Sequence, residues 1–96
     1  MRTTSGVRFE LRLLRQEPGQ AAYEVELAHA GGSGGGLACI EAESGQIAFD
    51  WKSEPPPEWC ANAVRAQLRT LYRERSAGYP RRVTRWRPGP GAGTTE

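Results

Sequence analysis

Lysine is almost missing from this chain: 96 residues hold one lysine, Lys52, against twelve arginines. Long apolar runs are missing too. The longest, Leu37-Ala38-Cys39-Ile40, falls far short of the roughly 20 residues that cross a bilayer, so no membrane association is expected. Two cysteines exclude a disulfide-rich scaffold. No apolar stretch of the kind found in signal peptides follows Met1-Arg2-Thr3-Thr4-Ser5-Gly6, so the cytoplasm is the expected compartment. Leu, Ile, Val and Phe together number 15, a poverty that would suggest disorder in a highly charged chain. Here the net charge is +2, and three Trp and three Tyr add area to bury. One small folded domain over residues 1–87, with a disordered Gly/Pro tail at 88–96, is the expected organisation.

What is present is patterned. Val7-Arg8-Phe9-Glu10-Leu11-Arg12-Leu13 and Tyr23-Glu24-Val25-Glu26-Leu27 alternate apolar and charged residues, the mark of half-buried strands. Pro18-Gly19 signals the turn between them. A plain two-residue turn would set Leu13 against Glu24, so an odd loop is expected, pairing Leu13 with Tyr23, Leu11 with Val25 and Phe9 with Leu27. Residues 31–36, Gly-Gly-Ser-Gly-Gly-Gly, read as a flexible connection. Leu37–Ala42 and Ile47–Trp51 read as a hairpin turning at Ser44-Gly45, with Ala42 facing Ile47, Ile40 facing Phe49 and Ala38 facing Trp51. This register sets Cys39 opposite Asp50.

Pro55-Pro56-Pro57 introduces a helix over Glu58 to about Arg75. Its spacing puts Cys60, Val64, Leu68 and Leu71 on one face, and Glu58, Asn62, Arg65, Arg69 and Arg73 on the other. Gly78 is the expected stop signal. Arg82–Arg87 reads as a short fifth strand. The predicted fold is therefore α+β: an antiparallel four-strand meander, one helix packed on one face, and a short C-terminal fifth strand.

Catalytic patterns are weak. The glycine run lacks the Gly-Lys-Ser/Thr of a phosphate loop, and it leads into a strand where such loops need a helix. His29, Cys39 and Cys60 are spaced too widely for a zinc motif. The predicted registers also put the two cysteines on opposite sides of the sheet, against a disulfide or a dyad. The carboxylates Glu10, Glu24, Glu26, Glu41 and Asp50 fall on an open sheet face, where nothing would shift a pKa for acid–base work. No catalytic residue, metal ligand or cofactor is expected.

Charge is the stronger signal. Residues 1–57 carry five basic and eight acidic groups; residues 58–96 carry eight basic and three acidic. Arg65, Arg69 and Arg73 make a stripe at spacing four, and Arg81, Arg82, Arg85 and Arg87 follow with Tyr79 and Trp86 among them. Two accounts fit: the arginines neutralise acids of the sheet half, or their forked donors grip a partner's carboxylates or phosphates. The expected function is a non-catalytic protein-binding domain for an acidic partner surface. Its contact residues would be Trp59, Arg65, Arg69, Arg73, Arg82, Arg85, Trp86 and Arg87, with the tryptophans supplying buried area. The alternative is sequence-nonspecific nucleic-acid binding through the same surface. Four strands followed by a helix is similar in layout to the Whirly-type single-strand-binding fold, which implies a basic, aromatic sheet face. The acidic face predicted here would leave nucleic acid to the helix stripe and fifth strand. A monomer or weak homodimer is expected, the latter through an exposed sheet edge.

Overall fold

The computed structural model describes residues 6–89. The chain runs β1 (Gly6–Glu17), β2 (Gln20–His29), β3 (Gly32–Glu41), β4 (Ile47–Trp51), α1 (Glu58–Arg73) and β5 (Arg82–Pro88). The strands form one antiparallel sheet in the order β4-β3-β2-β1-β5. This is the expected α+β architecture. The fifth strand pairs with β1, so β4 and β5 are the two edges and α1 carries the chain from one to the other. The strand runs through Pro88, the first residue of the expected tail; residues 90–96 of that tail lie outside the described residues.

The first hairpin has the expected pairs, Leu13 with Tyr23, Leu11 with Val25 and Phe9 with Leu27. Its odd residue sits elsewhere than expected. Pro18-Gly19 is a two-residue turn between paired Glu17 and Gln20, and the register shifts between Leu13 and Arg15. Leu14 is thus a β-bulge, half exposed, and it rescues the apolar face that a plain two-residue turn would have mixed.

The second and third connections correct the expectations. Ala30-Gly31 makes a tight turn and β3 begins at Gly32, so most of the glycine run is strand, paired along β2 from His29 to Val25. Ladder bonds need no side chains, and two glycines leave no room for one: a Cβ on Gly36 would strike the Asp50 carbonyl of β4, and one on Gly35 the Val25 carbonyl of β2. In the β3–β4 hairpin, Ile40 faces Ile47, Ala38 faces Phe49, Gly36 faces Trp51, and Cys39 faces Ala48 rather than Asp50. The turn spans four residues, closed by Glu41 N–H to the Gln46 carbonyl at 2.9 Å and Gly45 N–H to the Glu41 carbonyl at 2.8 Å. The slip is two residues, so each side chain keeps its predicted face. Its cause lies in the helix. The Tyr72 hydroxyl donates to the Ala42 carbonyl at 2.9 Å, and its ring lies where a Cβ on Gly45 would be, 2.5 Å away. Gly45 has φ +77°, so this wide turn needs glycine twice over.

The core is the inner sheet face under α1. Val7, Phe9, Leu11, Tyr23, Val25, Leu27, Ala38 and Ile40 meet Cys60, Val64, Leu68 and Leu71, with Val83 from β5. Each large side chain buried here is worth about 1.5–3 kcal/mol. Glu58 in the first turn and Arg73 in the last suit the helix dipole. The helix ends two residues before its predicted limit. A 3-10 turn over Arg75–Ala77 follows, and Gly78 ends it at φ +97°. Among the described residues no helix is long and apolar enough to cross a membrane.

Candidate binding surface

The eight residues singled out in the sequence do not form one surface. Val83 is the buried residue of β5, so strand alternation divides its neighbours. Arg85 and Arg87, paired with Phe9 and Val7, face the helix side. Arg82 and Trp86, paired with Arg12 and Arg8, lie on the open face of the sheet, where Trp86 covers Gly6 and is 49% exposed. On α1, Arg65 leans toward the far edge: its guanidinium sits 5.1 Å over the Phe49 ring and bonds Asn62 Oδ1 at 2.8 Å. Arg69 points to solvent. Arg73 bonds the Thr70 hydroxyl at 3.3 Å, on the β5 side of the helix. Trp59 is half-buried and edge-on to His29, with ring centroids 6.4 Å apart. It caps one end of the core and stands apart from the arginine stripe.

A cleft runs between α1 and β5. Gln67, Thr70, Leu71 and Glu74 form its helical wall, and Val83, Arg85 and Arg87 its strand wall, enclosing about 580 Å³. Gln67 is nearly buried, and its Oε1 accepts from Arg87 Nη2 at 3.1 Å. Sequence reasoning missed Gln67, although its phase between Val64 and Leu71 places a polar group on the core face. Arg82 also borders this cleft, whose own carboxylate is Glu74, and Arg73 reaches its rim through the bond to Thr70.

The segment that delivers β5 is held firmly. The Tyr23 hydroxyl donates to the Pro80 carbonyl at 2.7 Å, and Tyr79 packs edge-on against Tyr23 at 6.3 Å. Burial, with a smaller contribution from Tyr79, pushes the Tyr23 pKa up to about 12. Burial also raises Tyr79, with Arg75 opposing it. Desolvation raises the Cys60 thiol, which is sealed under the helix. Cys39 is half-buried on the other side of the sheet, and both cysteines are free, as the alternation predicted.

The arginines do not neutralise the sheet. Of the eight basic residues beyond Pro57, Arg82 alone meets a carboxylate within 4 Å among the described residues, that of Glu10. Glu24, by contrast, is held by Arg12 at 3.1 Å and Lys52 at 4.0 Å. Arg85 bonds the Thr84 carbonyl, and Arg75 bonds the Tyr72 carbonyl while lying on its ring. Among the described residues no three His, Cys, Asp or Glu side chains gather as a metal site would need. No protein-family model matches the chain, and no curated protein or solved structure is significantly similar to it.

Proposed function

We propose that this chain is a non-catalytic, cytoplasmic binding domain that docks an acidic surface of a partner protein on its α1–β5 flank. The observation that carries this reading is the set of arginines that meet no carboxylate within 4 Å among the described residues. Arg73, Arg85 and Arg87 surround one cleft, and each retains donors for a carboxylate. Arg65 and Arg69, first counted with them, lie outside this surface, as do Trp86 on the open face of the sheet and Trp59 at the helix start; Arg82 borders it. A protein partner is favoured over nucleic acid because Trp86 lies on the opposite side of the sheet from Arg85 and Arg87. No stacking platform therefore flanks the basic cleft. The open face also carries Glu10, Glu24, Glu26, Glu41 and Asp50, whose charge opposes phosphate.

The test is a titration of ¹⁵N-labelled full chain with a peptide of alternating Glu and Val. A parallel titration uses oligothymidylate of equal charge, both at about 50 and 200 mM salt. Shifts at the Arg85 and Arg87 side-chain N–H groups with the peptide are expected. Arg85→Glu with Arg87→Glu should abolish them, and Arg65→Glu with Arg69→Glu should leave them nearly unchanged. Tighter binding of oligothymidylate, or no response to the peptide, overturns the reading.

A further inference from the structure

We infer that the acidic partner enters as an extended segment that adds a sixth strand to the free edge of β5; this rests on the function proposed above. Ladder parity supplies the first reason. The Leu13 N–H donates to the Arg81 carbonyl at 2.8 Å. In the β1–β5 register, Arg12 with Arg82 through Gly6 with Pro88, this makes Val83, Arg85 and Arg87 the residues whose backbone groups face β1. The N–H groups of Arg82, Thr84 and Trp86 therefore point away from the sheet, into solvent. Pro88, next in that series, has no N–H to offer, which ends the receptive stretch. Every β5 residue except Val83 is exposed; among the described residues the Thr84 carbonyl is the outward group already engaged, by Arg85 Nη1 at 2.8 Å, and an incoming strand would take over that acceptor as Arg85 turns to a carboxylate.

Side chains supply the second reason. A strand laid on this edge puts alternate residues on the two sheet faces. Those facing the helix side enter the cleft between α1 and β5, where Arg85, Arg87 and, at the rim, Arg73 await carboxylates. Those on the open face pass Thr84 and the half-exposed Trp86, which suit β-branched or aromatic residues. The favoured segment thus alternates acidic and apolar residues. The same arginines exclude a second copy of β5, because identical edges would set Arg85 and Arg87 against like charges. Edge pairing is in this way reserved for a segment of opposite sign.

Amide exchange in the full chain separates this inference from the one beneath it. In the free protein the Arg82, Thr84 and Trp86 amides should exchange fast, and those of Val83, Arg85 and Arg87 slowly. Saturation with the Glu/Val peptide should slow the first three. A peptide N-methylated at alternate positions, so that its N–H donors on the β5 side are removed and methyl groups stand in the ladder, should bind about tenfold more weakly. Thr84→Pro removes an outward N–H while sparing the β1 ladder, and should weaken the unmodified peptide by a similar factor. If the peptide binds through Arg85 and Arg87 but the three amides stay fast and N-methylation changes nothing, strand addition is wrong and the acidic-partner reading stands. If neither peptide binds, both fall.

Discussion

The two edges of this sheet solve one problem in opposite ways. Each presents unpaired backbone groups that invite another chain. Beside β4, the Gln46 carbonyl accepts from Glu41 of β3 and Lys52 N–H donates to Gly35 of β3, a parity that leaves Ile47, Phe49 and Trp51 with outward backbone groups. Their side chains turn in toward α1, Phe49 stacks on Trp51 at 4.8 Å, and Arg65 lies on the ring. That edge is short and guarded by the protein's own packing. On β5 the strand is longer, one side chain is buried, and arginines with a terminal proline do the guarding. Packing closes an edge to all comers. Charge closes it to like partners and opens it to unlike ones.

The largest effect should come from undoing the packed edge. Phe49→Ala removes the Trp51 stack and the seat of Arg65, and should lower unfolding free energy by about 3 kcal/mol in urea denaturation. The peptide affinity of β5 should stay intact. Parallel loss of affinity would show that the two edges are not independent.

Alkali should act on the β5 side. The raised Tyr23 pKa means that the native state holds this proton where the unfolded chain has lost it. Stability is fully present below about pH 10 and falls as pH rises toward 12, by roughly 3 kcal/mol in all. Urea midpoints across this range should record the fall, and the Tyr23→Phe variant should flatten it. At neutral pH that variant loses the bond to Pro80 and should cost about 1–2 kcal/mol. Amide exchange should quicken first at Val83 and Arg85. If β4 amides quicken equally, β5 is not a separately held edge. The smallest effect is expected from Arg65→Gln, about 0.5–1 kcal/mol from the ring contact, with no change in peptide binding.

Alternation made most of the fold legible, because it fixes which face a residue takes whatever the turn does. The pairs from Phe9–Leu27 to Leu13–Tyr23 followed from it, although the odd residue proved to be a bulge at Leu14. The β3–β4 register slipped by two because Tyr72, distant in sequence, holds the turn at Ala42 and Gly45. The glycine run was misjudged because a strand can be specified by its neighbour's ladder, here β2 from His29 to Val25, rather than by its own side chains. The residues proposed to bind were legible as a charge excess but not as a surface. Composition collected Arg82, Arg85, Trp86 and Arg87 together; the parity of a strand whose place was unknown divides them between two faces.

The pairing of β5 with β1 also sets an order of events. The four-strand meander is built from neighbours in sequence, whereas Val83 must find Leu11 across more than 70 positions. Contacts of such separation carry the largest loop-closure cost and tend to form late. The β5 strand should therefore be the last to dock and the first to open in native-state exchange, a unit less stable than the sheet it completes. A ligand that clamps that strand would slow its release and so stiffen the element of the sheet that docks last.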